Sequence, residues 1–407
     1  MEPAYSFTVP SIEDDTVLDC RIYHPGDLSA RLPPQQHKLE ALRGAVIAHP
    51  YSPLGGCYDD PIVLAVTEKL LQQGYIVATF NFRGAAGSAG STSWSAKGEK
   101  EDFITLVGFI VRYMQSLAES NYTPGEDASP VHQAPRCPLR LLLAGYSYGS
   151  LILTRIPSLH NILQRFDNAA IGTSAAEVIL RARRLAQETL RTAQELDTKN
   201  VRGRGSSTSS PSGRSRALSN TVRVGGEETQ SSERRLSRGS RESRRGIDMV
   251  KKSAEAPHRI AMHFRRHSSS KSQEDVSEKS KDEKTPQLST TALIKLRYLL
   301  ISPLSPPLSY TLAPPSHIMQ FFGQSSSVKD ASTGFGMLEH DTLAIWGTND
   351  GFSSSKKLTT WIERLQAAAP GLITGIDVDG AGHFWREHGV LKQLLEALAS
   401  WTESHVV

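Results

Sequence analysis

Residues 145–149 read Gly-Tyr-Ser-Tyr-Gly and follow directly on the apolar run 139–144. Glycines two before and two after a serine, at the end of a buried strand, are what a sharp strand-to-helix turn needs. Bulkier neighbours clash in such a turn, and the serine Oγ is left exposed at the top of the sheet. The helix-like run 150–155 supplies the other half of the turn. Ser147 is the candidate nucleophile.

A serine hydroxyl is a weak nucleophile at neutral pH. It needs a base, and the base needs an acid to orient it. With this kind of turn the partners follow in the chain order Ser, then Asp or Glu, then His. The strand-like run 342–347 leads into Gly347-Thr348-Asn349-Asp350-Gly351, and the run 373–378 leads into Gly380-Ala381-Gly382-His383-Phe384. Asp350 and His383 thus sit in glycine-bearing loops past the carboxyl ends of strands, where α/β sheets keep their chemistry. The plainer readings are a turn aspartate in Asn-Asp-Gly and a loop histidine without duty. Asp377 and Asp379 fall within or at the end of a strand. His388 sits at the start of the final helix, and His340 lies at the wrong end of its strand.

Attack by such a serine on a carbonyl puts negative charge on the carbonyl oxygen, and each preorganised backbone N–H is worth about 3–4 kcal/mol to it. One donor is the N–H of Tyr148, the residue after the nucleophile. The other belongs to the loop after the strand 44–48. Pro50 has no N–H to give, so Tyr51 is the choice, with Ser52 next.

These residues need a scaffold. Residues 63–73 and 99–117 repeat apolar side chains at helical spacing, 75–80 reads as a strand, and 391–401 closes the chain with a helix. Residues 7–9 and 17–23 pair as an antiparallel hairpin at the sheet edge. Alternating strands and helices predict an α/β architecture, a mostly parallel sheet with helices on both faces.

Two further motifs are His49-Pro50…Gly55-Gly56 and Asn81-Phe82-Arg83-Gly84. With the serine turn and Gly-x-Gly-His-Phe, four motifs in order across 40–155 and 292–404 resemble the α/β-hydrolase superfamily, and within it the small bacterial serine hydrolases. The resemblance implies an α/β-hydrolase fold and an acyl-enzyme mechanism at Ser147, His383 and Asp350. The substrate class is a carboxylic ester, with thioester and amide as alternatives, and no metal or organic cofactor is implied. The bacterial loop reads His-Pro-His-Pro where this chain has Tyr51-Ser52, so any substrate contact of that second pair is not carried over. His49, Gly55 and Gly56 support the oxyanion loop, the glycines either bending it under the substrate or closing a turn. Arg83 and Gly84 brace the active-site loops.

The resemblance stops in the middle of the chain. Residues 1–173 and 291–407 form the two parts of the hydrolase domain. Residues 174–198 read as a helix opened by the capping box Ser174…Glu177, resting on the domain, standing in solvent, or serving as a membrane-surface or partner helix. Residues 199–290 are a Ser/Arg-rich insert. Only 11 of residues 201–290 are Leu, Ile, Val or Phe, about 12%, where a charged segment below ~20% cannot bury enough to fold. Residues 181–290 hold 25 Lys and Arg against 14 Asp and Glu, in a chain of formal charge +4. The basic balance therefore describes the insert and not the body.

The insert joins the helix after the nucleophile to the next strand, and that helix starts at the active-site rim and runs away from it, so the insert is expected to leave opposite the catalytic face. A roof over the site falls to 302–340, which is rich in apolar residues suited to an acyl pocket. Ser237 in Arg-Arg-Leu-Ser and Ser268 in Arg-Arg-His-Ser match basophilic kinases, with phosphate weakening the hold on an anionic partner. Apart from Phe264 no Phe, Tyr or Trp interleaves these charges, which argues against specific nucleic-acid binding. Three cysteines make no disulfide framework. Neither a signal peptide nor an apolar run of about 18 residues is present, which predicts a cytoplasmic chain with no transmembrane segment. Two other classes fit the same residues: a non-catalytic α/β-hydrolase scaffold acting through a phosphorylatable insert, and an acyltransferase.

Overall fold

Residues 75–80 and 139–146 are apolar at nearly every position, and a strand of that kind must be covered on both faces. The computed structural model describes residues 1–32, 41–93, 95–119, 138–203, 223–224, 294–304 and 336–404. Most of the insert, with Ser237 and Ser268, and most of the expected roof lie outside these residues; of the insert, 199–203 continue the preceding helix and Arg223–Val224 form a two-residue strand, so those positions are not the unfolded stretch that composition predicts. The strands are β1 (Tyr5–Pro10), β2 (Val17–Tyr23), β3 (Leu42–Ala48), β4 (Tyr75–Phe80), β5 (Leu139–Tyr146), β6 (Arg223–Val224), β7 (Ile294–Ile301), β8 (Asp341–Gly347) and β9 (Ile373–Val378). They form one sheet in the order β6-β1-β2-β4-β3-β5-β7-β8-β9. β1 and β2 are the antiparallel hairpin, β2 runs antiparallel to β4, and β4, β3, β5, β7, β8 and β9 are parallel.

The helices are α1 (Leu28–Arg31), α2 (Pro61–Gln72), α3 (Lys97–Glu119), α4 (Tyr148–Leu153), α5 (Leu159–Asp167), α6 (Ser174–Gly203), α7 (Ser355–Ala368) and α8 (Val390–Glu403). α2 and α8 cover one face of the sheet, while α3 to α7 cover the other, each over its own buried apolar cluster. α2 begins two residues before its apolar repeat because Asp60 accepts the N–H of Ile62 at 2.8 Å and Pro61 opens the helix. On the other face Phe166 of α5 packs directly on Gly108 of α3. A Cβ there would lie 2.1 Å from the ring.

α6 corrects the capping expectation. Thr173, not Ser174, accepts the N–H of Ala176 (3.3 Å), while Ser174 Oγ bonds Asp15 and Glu177 pairs with Arg181. A cap needs extended backbone just before the helix, and Ser174 is already its first residue. The stripe Val178, Ala182, Leu185, Thr189 and Ala193 is buried against the domain, which overturns the membrane-surface reading. The helix starts near Asp15, at the carboxyl-end edge of the parallel strands, and reaches Tyr5 by Thr189. β7 begins on that far edge, with Ile294 beside Leu139.

A buried polar chain anchors α6. His24 Nε2 meets the Tyr113 hydroxyl (2.7 Å), and the Thr189 hydroxyl meets those of Tyr113 (2.8 Å) and Tyr5 (3.0 Å). Burial pushes His24 down to about 4, so the folded protein keeps it neutral. No helix among the described residues is long and apolar enough to cross a membrane.

Two predictions follow from these buried groups. Arg83 is buried and donates to Asp102 from its backbone N–H, Nε and Nη2, while Nη1 reaches Asp14 at 2.8 Å. It ties the loop after β4 to α3 and to the β1–β2 turn. Arg83→Met strands a buried carboxylate and lowers stability by about 3–5 kcal/mol, read by urea unfolding at pH 7. For His24, the unfolded chain binds a proton near pH 6.5 and the folded one only near 4. Stability therefore falls as pH drops through that window, by up to about 1.4 kcal/mol per pH unit. His24→Gln removes that slope, and equal slopes in wild type and variant would refute it.

Candidate active site

The turn between β5 and α4 forces Ser147 into left-handed backbone, φ 55° and ψ −112°, a conformation that costs a non-glycine residue of order 1–3 kcal/mol. The two glycines make it sterically possible. A Cβ on Gly145 would lie 2.4 Å from the backbone of Gly149, and one on Gly149 would lie 2.6 Å from the carbonyl of Ala48 at the end of β3. The Ser147 N–H donates to Ile301 O at 2.8 Å. Ser150, one turn into the helix, donates to Gly145 O (2.5 Å) and accepts the N–H of Ile301 (3.1 Å). The turn is thereby tied to both β3 and β7.

Two other non-glycine residues with positive φ stand nearby, Ser302 (φ 45°) just past β7 and Trp385 (φ 54°) in the loop after β9. They are joined by a hydrogen bond from Trp385 Nε1 to Ser302 Oγ at 3.0 Å. The Tyr146 hydroxyl donates to the carbonyl of His383 at 2.8 Å, and Glu387 accepts the N–H of Gly382 at 3.0 Å. The loop bearing the histidine is thus held on both sides of the ring.

Ser147, His383 and Asp350 come together in one hydrogen-bonded chain. Ser147 Oγ lies 2.8 Å from His383 Nε2, and His383 Nδ1 lies 2.6 Å from Asp350 Oδ2. The other carboxylate oxygen of Asp350 accepts the N–H groups of Phe352 (2.7 Å) and Ser353 (3.0 Å). Its side chain is wholly out of water. With the carboxylate fixed, Nδ1 carries the ring proton and Nε2 is free to accept from the serine. Asp377 and Asp379 take no part; Asp379 accepts from Thr348. His340 stacks on Tyr298, and His388 lies in the loop before α8.

Tyr51 and Tyr148 lie side by side, ring centroids 5.1 Å apart. Tyr148 opens α4, so its N–H has no acceptor within the helix. Tyr51 precedes the short turn Ser52–Leu54, and its carbonyl accepts from Leu54 and Gly56. Gly55 closes that turn at φ 89°, and a Cβ on Gly56 would lie 2.2 Å from the carbonyl of Pro50. The Gly-Gly pair therefore folds the loop back on itself.

His49 accepts the N–H of Phe82 at Nε2 (2.9 Å), so Nδ1 is the donor to Pro50 O (2.6 Å). It is fully buried, and burial pushes it down to about 4. This neutral ring pins the loop after β3 to the loop after β4. Arg83 braces the second of these from below, and Gly84 turns it at φ 74°. None of the three enters the serine–histidine–aspartate chain.

Sequence reasoning missed the residues around the imidazole. Phe352 and Phe384 flank the His383 ring at 4.6 and 5.4 Å between centroids, and both are partly exposed. Each sits two or fewer residues from a chain member, but nothing in the sequence marks which neighbours lean onto the ring. Tyr146 carries no signal beyond its place in the Gly-x-Ser-x-Gly pattern.

No protein-family model matches the chain. An uncharacterized protein of Schizosaccharomyces pombe is 32% identical over 116 residues, 28% of this chain and 40% of that protein. The chain thus matches less than half the length of that curated relative. Among solved structures, similarity extends to the α/β serine hydrolase XC6422 of Xanthomonas campestris, described as lacking a lid (15% identity, 98% of this chain, 93% of that one, TM-score 0.41). It extends also to Est1E of Butyrivibrio proteoclasticus with ferulic acid bound (10%, 98% and 98%, 0.41) and to the Pyrococcus furiosus esterase Pf2001 (11%, 98% and 91%, 0.41).

The fold itself rests on the molecule's own geometry: a mostly parallel sheet with an antiparallel hairpin at one edge, a left-handed serine between β5 and α4, and partners in the order Ser, Asp, His at later strand ends. This chain has the α/β-hydrolase fold.

Proposed function

We propose that the chain is a serine hydrolase that cleaves a carboxylic ester through an acyl-enzyme. The observation that carries this reading is the hydrogen-bonded chain Ser147–His383–Asp350 at 2.8 and 2.6 Å. Ser147 Oγ attacks the carbonyl carbon while its proton passes to His383 Nε2. Asp350, held by two backbone N–H groups, keeps the ring in the accepting tautomer and stabilises the imidazolium. The N–H groups of Tyr148 and Tyr51 are assigned to the oxyanion, which they stabilise because they need no reorganisation as charge develops.

Collapse of the tetrahedral intermediate breaks the ester C–O bond, and His383 returns the proton to the leaving alkoxide. Water then repeats the sequence on the acyl-enzyme, with His383 again as base, and releases the acid. An alcohol in place of water would make the same residues an acyltransferase. The partly exposed rings of Phe352 and Phe384 beside the imidazole support a substrate with an apolar acyl or alcohol group at that side.

A fluorophosphonate probe tests the nucleophile. Wild type gains a single adduct by intact mass, Ser147→Ala gains none, and the variant keeps its far-ultraviolet circular dichroism. Labelling of the alanine variant, or a folded wild type that never reacts, refutes the assignment. Asp350→Asn leaves the serine in place but favours the wrong tautomer. With p-nitrophenyl acetate its kcat falls by about 10³–10⁴, and a loss of less than tenfold removes Asp350 from the mechanism.

A further inference from the structure

The edge of the sheet opposite Ser147 carries a row of like charges. In the sheet register Tyr75, Arg43, Arg140 and Lys295 stand side by side on β4, β3, β5 and β7. Adjacent strands lie about 4.8 Å apart, and residues in register point to the same face. Arg297 follows on that face of β7, beside Asp341 of β8. Three cations in register, with a fourth behind them, repel one another, and like charges placed directly across strands are destabilising.

The ends of the row are already engaged. Arg43 donates to the carbonyl of Gln73 at the end of α2 (3.1 Å), and Arg297 donates to the carbonyls of Trp401 (2.8 Å) and Thr402 (3.3 Å) near the end of α8. Both arginines thus answer the partial negative charge of a helix carboxyl end. The middle of the row is different. The side chains of Arg140 and Lys295 have no hydrogen-bond or ion-pair partner among the described residues. Among the described residues Arg297 Nε is buried without a hydrogen-bond acceptor, and the carboxylate of Asp341 stands 3.8 Å away. Burial lowers the Arg297 pKa, and the charge of Arg140 pushes the same way. A small recess of about 10 Å³, enough for one oxygen, opens between Tyr75, Arg140, Lys295, Arg297 and Thr402.

We propose that Arg140, Lys295 and Arg297 form a binding site for a phosphate monoester or inorganic phosphate on the edge of the sheet opposite the serine. A phosphate dianion supplies what the row lacks: two negative charges, and oxygens enough to meet Arg140 and Lys295 while one enters the recess toward Arg297 Nε. Arginine forks suit phosphate geometry, and lysine adds a point charge. Among the described residues the carboxylate at the row, Asp341, stands on its β8 side, away from the Arg140–Lys295 centre. Two sources offer this chemistry: a free phosphate compound, and a phosphoserine of this chain. The edge is where the chain rejoins the sheet at Ile294, one residue before Lys295, after the segment bearing Ser237 and Ser268. The site is independent of the ester-cleaving reading.

The test is thermal unfolding of the full chain in inorganic phosphate against chloride at equal ionic strength. Wild type gains several degrees in phosphate, and Arg140→Gln/Lys295→Gln gains none beyond the general salt effect. In chloride alone the double variant is at least as stable as wild type, because the repulsion is gone. No phosphate-specific rise in wild type, or an equal rise in the double variant, overturns the site. The chain phosphorylated by a basophilic kinase, with Ser237 and Ser268 modification confirmed by mass, separates the sources. Loss of the response to added phosphate identifies its own phosphoserine as the occupant, and an undiminished response identifies a separate phosphate compound.

Discussion

Everything at the carboxyl-end edge of the sheet depends on one steric constraint, the close approach of α4 to the ends of β3 and β5. Gly145 faces Gly149 and Gly149 faces the Ala48 carbonyl at distances that no Cβ could occupy. That approach drives Ser147 into left-handed backbone and aims its Oγ at His383. The local strain persists because the surrounding hydrogen bonds over-determine it. Ser147 N–H is fixed on Ile301, Ser150 clasps both β5 and β7, and Ser302 just past β7 and Trp385 in the loop after β9 also take positive φ.

The loops after β3 and β4 are held by two buried polar groups, His49 and Arg83, each with its partners satisfied. His49 works as a neutral spacer: one ring nitrogen accepts and the other donates, so a charged ring would lose a bond and face the cost of burial. Arg83 works by charge, with Asp102 and Asp14 absorbing its fork. A half-satisfied network of this kind would be worse than an apolar one. The two devices fix the loops after β3 and β4 without spending any group that the serine chain needs.

The sheet also separates two kinds of chemistry. Its carboxyl-end edge concentrates the hydrogen-bonded serine, histidine and aspartate, with apolar rings beside them. Its amino-end edge gathers Arg43, Arg140, Lys295 and Arg297, partly neutralised by two helix carboxyl ends. Parallel strands make this division natural, because every strand starts on one edge and ends on the other. Arg140 and Ser147 are seven residues apart on one strand and turn, about 23 Å at strand rise, so an anion on one edge meets no charge of the other directly.

Much of this was legible in the sequence. The alternation of apolar strands and helical repeats determined the α/β class, because a chain so patterned can bury its apolar residues only in a covered sheet. The glycine spacing marked the turn at Ser147, and the chain order of strand-end loops singled out Asp350 and His383. Local periodicity could not place the start of α2 at Pro61, nor show that Thr173 and not Ser174 caps α6, because a single side-chain cap decides each. Nor could it show that the stripe of α6 faces the domain, since a thin apolar stripe reads the same against a protein, a partner or a lipid surface. Tertiary structure alone decided which rings touch His383, that His49 is neutral, and that Arg43, Arg140 and Lys295 stand in register. Those facts depend on contacts between residues tens to hundreds of positions apart, and register and side-chain reach across such separations are set by packing, which no local pattern encodes.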